Sequence, residues 1–223
     1  MKLSPDTLTV LQNFSKINSG LQFKEGNVLR TVSSGKTVLA KAVLKDTFPQ
    51  DFCVYDLNQF LVIYNLNKDT ELDFDDSNVI FKSTKSKTKY RKTAQDMIVI
   101  PPENDLKLPT VDISFSMTEA EYSSILKAAS ILQSPHVAVE SDGDKIMLTA
   151  FDAKNDSAHT NSIEVGEGNG TKYRLTFSAE NLKMIPGSYD VEVSSKGISH
   201  FKNKTVDIQY WIALESKFTK YGE

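Results

Sequence analysis

The chain has 223 residues, 26 Lys+Arg against 29 Asp+Glu, and a formal net charge of -3. That length buries a substantial core in one large domain or two small ones. No apolar run approaches the ~20 residues a membrane span needs, and MKLSPDTLTV at the start lacks the apolar stretch of a signal peptide, so a cytoplasmic chain is expected.

In chain order, Asp6 or Ser4 caps a first predicted helix whose Val10, Leu11, Phe14 and Ile17 share one face. Its opposite face carries Thr9, Gln12, Asn13 and Lys16. Residues 20–44 read as hairpin-like strands with turns at Lys24-Glu25-Gly26 and Ser33-Ser34-Gly35. SSGKT (33–37) resembles the end of a phosphate loop, but the pattern requires glycine at position 30, where Arg30 stands, and a strand pattern follows it. A hairpin turn is therefore expected. The single cysteine, Cys53, lies in the apolar run FCVY and reads as a buried, inert thiol.

VYDLNQFL (54–61) predicts a short second helix with Leu57, Phe60 and Leu61 inward and Asn58 and Gln59 outward. Strands follow at 71–75 and 78–83, with Asp73, Asp75 and Asp76 along a solvated edge. KSTKSKTKYRK (82–92) then places six cations in a row without an acid. In a strand over 87–92, Lys85, Lys87, Lys89 and Arg91 face one way and Ser86, Thr88 and Tyr90 the other. PPENDLKLP (101–109) is an extended connector, because proline fixes its backbone angle and lacks a donor.

The pattern then repeats. Thr118 and Glu121 form a capping-box signature before Tyr122, Ile125, Leu126, Ala129 and Leu132. The far side of that helix shows Ser123, Ser124, Lys127 and Ser130. HVAVESDGDKIMLTAF (136–151) alternates about an Asp142-Gly143 turn. AHTNSIEVGE (158–167) reads as a strand with Glu164 and Glu167 near its end, and GEGNG (166–170) as a loop. FSAENLKMI (177–185) predicts a second short helix with Ala179, Leu182 and Ile185 inward and Asn181 and Lys183 outward. Strands are expected at 188–193, 197–203 and 206–215.

The order helix, strands, helix, strands is thus given twice. An α+β chain with two similar domains follows, residues 1–108 (with most of the connector) and 109–223. The first carries 15 basic and 13 acidic residues and the second 11 and 16, so the halves have opposite sign. His136, His159 and His200 are scattered without ligand spacing, and no nucleophile has a base beside it. No catalytic residue, metal or cofactor is assigned. Small polar, mildly cationic helix faces suit a polyanion lying against them, while the basic strand suits an edge that pairs with the acidic strand of another copy, head to tail.

MKLSPDTLTVLQNFSKINSG, VYDLNQFL, NLKMIPGSYDVEV (181–193) and IALES (212–216) together resemble the sliding clamps of T-even-type bacteriophages, over essentially the whole chain. Residues 66–115 depart most. The resemblance implies a DNA-clamp fold, with helices on one face of antiparallel sheets, and a homotrimeric ring. It implies a processivity factor, not an enzyme, that encircles duplex DNA and tethers the phage DNA polymerase. A separate clamp-loader ATPase places the ring, transcription factors are further partners, and the site of action is the host cell cytoplasm. Lys2, Lys16, Lys127 and Lys183 are the expected DNA-facing cations. Lys87, Lys89, Tyr90 and Arg91 of one subunit would meet Asn161, Ile163 and Glu164 of the next, Tyr90 standing where the family has a tryptophan near its joint. Partner tails would dock at Leu106, Leu108 and Pro109, with Phe218 and Tyr221 as further candidates. Two rival readings are a non-ring module that grips nucleic acid through residues 82–92, and an enzyme on the same scaffold.

Overall fold

The computed structural model describes residues 1–222. The chain divides into two compact units, Met1–Glu103 and Asn104–Glu223, with the division inside the proline-containing connector.

The first unit opens with α1 (Pro5–Ile17). Ser4 is its cap, its hydroxyl accepting from the Thr7 N–H, and Pro5 occupies the first turn, where a missing N–H costs nothing. Val10, Leu11 and Phe14 are buried as the apolar spacing requires. Asn13, expected on the polar face, is buried too; it lies between the apolar stripe and the true outer face of Thr9, Gln12 and Lys16. Three strands follow, β1 (Leu21–Phe23), β2 (Gly26–Val32) and β3 (Val38–Phe48). SSGKT is the β2–β3 turn: the Ser33 hydroxyl accepts from the Thr37 and Val38 N–H groups, and no helix follows to face a phosphate.

β4 (Phe52–Val54) pairs antiparallel with β1 and leads into α2 (Leu57–Tyr64), capped by Asp56. β5 (Glu71–Phe74), β6 (Asn78–Lys82) and β7 (Lys87–Arg91) then form an antiparallel sheet in that order. Phenylalanines hold this unit together. Phe23 stacks on Phe52 at 4.4 Å, and Phe60 of α2 meets Phe81 and Tyr90 edge-on at 4.9 and 5.8 Å. Such pairs add about 0.5–1.5 kcal/mol each beyond area burial. α2 is thereby seated on β6 and β7.

In the second unit β8 (Ile113–Met117) precedes α3 (Glu119–Ile131), where the Thr118–Glu121 capping box is complete in both directions. β9 (His136–Ser141), β10 (Lys145–Phe151), β11 (Asn161–Glu167) and β12 (Tyr173–Ser178) come next. After them follow β13 (Tyr189–Ser194), β14 (Ile198–Asn203), β15 (Ile208–Ala213) and the short β16 (Lys220–Tyr221). One sheet runs β11-β10-β9-β12-β16, and β15-β14-β13-β8 are neighbours in another. α3 packs on β9, β10 and β11, with Tyr122 and Ile125 among Val137, Val139 and Leu148. The GEGNG stretch is glycine-rich for a steric reason. A Cβ on Gly168 would stand 2.2 Å from the Gly143 carbonyl oxygen of the β9–β10 turn.

One expected element is absent. Residues 177–185 do not form a helix: Phe177 belongs to β12, and only a 3-10 turn, Ala179–Asn181, follows. The apolar spacing is real, and Leu182, Met184 and Ile185 are buried, but Pro186 disfavours a helical residue before it. The backbone groups that a helix would pair internally are taken by tyrosine hydroxyls. Tyr122 Oη accepts from the Met184 N–H at 3.1 Å and donates to Leu182 O at 2.9 Å. Tyr210 Oη accepts from the Ile185 N–H, and Tyr189 Oη donates to Ile185 O.

Candidate nucleic-acid interface and joining edges

The expected DNA-facing cations are all at the surface. Lys2 precedes α1, Lys16 lies in its last turn, Lys127 is on α3, and each is exposed. Lys183 is exposed between buried Leu182 and Met184, so the tyrosine-held turn presents it instead of a helix. Around Lys127 the α3 surface is Ser123, Ser124 and Ser130; the acids of this helix, Glu119 and Glu121, stay in its first turn. There they favour the positive end of the helix dipole. Two exposed apolar residues stand among these polar faces, Val62 on α2 and Ile131 on α3, and helical spacing alone gives no signal for their exposure.

β7 pairs with β6 alone, so its other edge is open among the described residues. Burial alternates as expected: Lys87, Lys89 and Arg91 are exposed and Tyr90 is buried. The Tyr90 hydroxyl donates to Asp56 O at 3.0 Å, tying β7 to the cap of α2. Tyr90 therefore holds the strand from inside, and the outward surface of this edge is the three cations.

β11 is the corresponding open edge of the second unit. Asn161 and Glu164 are exposed there and Ile163 is half-buried. Glu164 and Glu167 both reach Lys145, at 2.9 and 2.6 Å. Their hydrogen bonds and charges hold the Lys145 ammonium above its ordinary range. One cation answers two carboxylates, so the edge keeps an acidic excess.

The connector candidates are dispersed. Leu106 and Pro109 are exposed and Leu108 is half-buried. Upstream, Lys24 pairs with Glu103 at 2.7 Å, beside a 170 Å³ groove containing Val28, Arg30, Pro101 and Pro102. Phe218 lies elsewhere, edge-on to His136 at 5.0 Å and lining a cavity of about 1140 Å³ with Phe151, Tyr173 and Arg174; none of Leu106, Leu108 or Pro109 lines it. Tyr221 stacks on Tyr173 at 6.2 Å. The histidines stay apart. His136 Nδ1 accepts from the Ala153 N–H, His200 stacks on Trp211, and His159 is exposed.

Comparison with known proteins places this geometry. Residues 4–100 match the family described as DNA polymerase processivity factor, and residues 114–216 match the gp45 sliding clamp, C-terminal family. The sliding clamp of Vibrio phage KVP40 is 31% identical over 223 residues, covering 97% of this chain and 100% of that protein. The sliding clamp of Enterobacteria phage T4 is 30% identical, covering 98% and 99%. Among solved structures, A. fulgidus PCNA with the C-terminal region of FEN-1 bound superposes with a TM-score of 0.69 at 18% identity over 96% of both chains. Proliferating Cellular Nuclear Antigen from Entamoeba histolytica gives 0.64 at 14% over 94% of both. Those structural likenesses establish the clamp fold. End-to-end likeness to the two phage proteins establishes more: this chain belongs to the sliding-clamp family of T4-like phages.

Proposed function

We propose that three copies of the chain join head to tail into a ring that encircles duplex DNA and tethers the phage DNA polymerase, without catalysing a reaction itself. The observation that carries this is the pair of open strand edges of opposite charge, basic β7 and acidic β11, one in each unit of a sliding-clamp family member. A contact between two different surfaces of one chain is heterologous, and a heterologous contact whose rotation closes generates a ring. In that ring Lys87, Lys89 and Arg91 of one copy face Asn161, Ile163 and Glu164 of the next. Tyr90 contributes by fixing β7 from within.

Lys2, Lys16, Lys127 and Lys183 supply a diffuse attraction to phosphates. Few cations among serines and threonines hold DNA without reading it, because phosphate contacts carry no sequence information. A separate ATPase loads the ring, and polymerase and transcription factors dock short apolar segments at Leu106, Leu108 and Pro109 or at Phe218. The place of action is the host cell cytoplasm. Loading onto a nicked circular plasmid tests the ring. Retention on the closed circle and loss after linearisation supports it. Equal, salt-sensitive binding to short linear duplexes instead assigns residues 82–92 to direct nucleic-acid contact.

A further inference from the structure

Two segments of the second unit meet on one imidazole. His136 begins β9 and is 7% exposed. Val137 faces α3, so His136, one residue earlier, faces the opposite side of the sheet. A turn over residues 152–158 reaches it from one direction, the Ala153 N–H donating to His136 Nδ1 at 3.2 Å. Other backbone bonds in this turn are internal, from the Asn155 N–H to Asp152 O and from the Ala158 N–H to Asn155 O. The tail reaches His136 from the other direction. Phe218 stands edge-on to the ring at 5.0 Å, and its carbonyl accepts from Thr176 Oγ1 of β12 at 2.8 Å. The cavity of about 1140 Å³ lies between the two segments, with Ala153 and Asp156 on the turn side, Phe218 and Lys220 on the tail side, and Phe151 and Arg174 from the strands between.

An N–H that donates to Nδ1 requires a lone pair there, so the imidazole is neutral and carries its proton on Nε2. A second proton would sit on Nδ1, directly against the Ala153 N–H. Two donors would then face each other and the bond would be lost. A charged ring also demands hydration, which Phe218 denies while it stands at 5.0 Å. The charged groups facing the ring are Asp152 and Lys154 from the turn and Glu215 from the start of the tail. β10 meets it with Phe151 and β12 with Ser178, both uncharged. Arg174 and Lys217 stand one ring further off, over Phe151 and Phe218. Burial outweighs the two carboxylates and holds the imidazole below its ordinary 6.5.

We infer that His136 is an acid-operated latch: neutral, it holds both walls of the cavity; protonated, it releases the 152–158 turn and Phe218 together and opens the cavity down to Phe151 and Arg174. The closed form takes up the proton less readily than an open form in which the ring meets water. Closure is therefore fully favoured above pH 6.5 and is lost as pH falls below that value. The latch lies within the second unit and does not depend on the ring.

The test is hydrogen exchange read by mass spectrometry on peptides spanning 151–158 and 214–222, at about pH 7.5 and about pH 5, on either side of the histidine range. Rates are divided by those of the same peptides unfolded. In wild type the protection of the 151–158 peptide falls about tenfold on acidification, the worth of one hydrogen bond. The 214–222 peptide loses protection over the same pH range, while peptides of α3 do not change. His136→Phe keeps a ring against Phe218 but offers no acceptor, so its 151–158 peptide exchanges fast at both pH values. His136→Gln offers a carbonyl acceptor that does not titrate, so it stays protected at both. Circular dichroism melts establish that each variant is folded. Wild-type protection that is unchanged across the range overturns the latch. Loss in the turn without loss in the tail overturns the joint release. A pH step that persists in His136→Gln assigns the step to other groups, such as Asp152 or Glu215, and overturns it as well.

Discussion

Tyr122, Tyr189 and Tyr210 do what a turn of helix would otherwise do. Each has its hydroxyl under the backbone of residues 182–185, and the segment keeps its apolar contacts without helical hydrogen bonds. Tyr122→Phe keeps the ring but leaves the Met184 N–H and Leu182 carbonyl without that partner. A buried group so orphaned costs about 1–3 kcal/mol, so urea denaturation of Tyr122→Phe should show a loss in that range. A midpoint equal to wild type would mean water or backbone takes over. The same burial fixes a pH dependence. Burial pushes the Tyr189 phenol up from 10.0 to about 12, and Tyr122 and Tyr210 are raised in the same direction. The folded chain then holds these protons more tightly than the unfolded chain. Their stabilising contribution is complete below pH 10 and is lost as pH climbs toward 12. Denaturation midpoints should be flat up to about pH 9.5 and then fall; a flat line to pH 12 contradicts the assignment. The residues that sequence alone could place are those with strict alternation, such as Lys89 against Tyr90. Asn13 was not among them, since a polar side chain at the border of an apolar stripe is turned inward by packing that helical spacing does not encode.

Among elements, the legible ones carry a start signal as well as a period. Ser4 with Pro5, Asp56, and Thr118 with Glu121 each mark a helix whose apolar spacing agrees. Residues 177–185 have the period but no cap bonded from the side chain of Ser178, and Pro186 closes the segment. There the two rules disagreed, and tertiary hydrogen bonds decided. The two strands were legible for the opposite reason: in 87–91 charge and alternation agreed with each other, and 161–167 read as a strand ending in acids. That an edge is open, however, is a property of strand order, which no local window contains. The Lys145 clasp on Glu164 and Glu167 was invisible for the same reason, being a cross-strand contact. In the proposed joint an approaching cation would share those carboxylates with Lys145, so the ionic part of each contact would be modest. Lys89→Glu with Arg91→Glu should nevertheless shift light-scattering mass from trimer toward monomer, since four like charges then meet at each seam. Adding Glu164→Lys and Glu167→Lys should recover part of it. Unchanged trimer in the first variant would remove these side chains from the joint.

At the scale of the whole molecule, each unit packs a helix with a polar outer face, α1 or α3, on antiparallel strands and has an edge strand paired on one side only, although α2 of the first unit is answered in the second by a 3-10 turn alone. Enclosure changes what the lysines must do. A protein that holds DNA by contact loses affinity steeply with salt, with a slope near -0.9 per neutralised phosphate. A closed ring needs contacts only to centre the duplex, and strong ones would slow its travel. Lys16→Ala, Lys127→Ala and Lys183→Ala in one chain should therefore weaken encounter with short linear duplexes. The same chain, once loaded on a nicked circle, should dissociate as slowly as wild type, because escape requires opening a seam that contains none of the three. Release should accelerate only when the circle is cut. If the triple variant instead leaves the intact circle as fast as it leaves linear DNA, charge and not topology retains the protein, and the lysines are its grip.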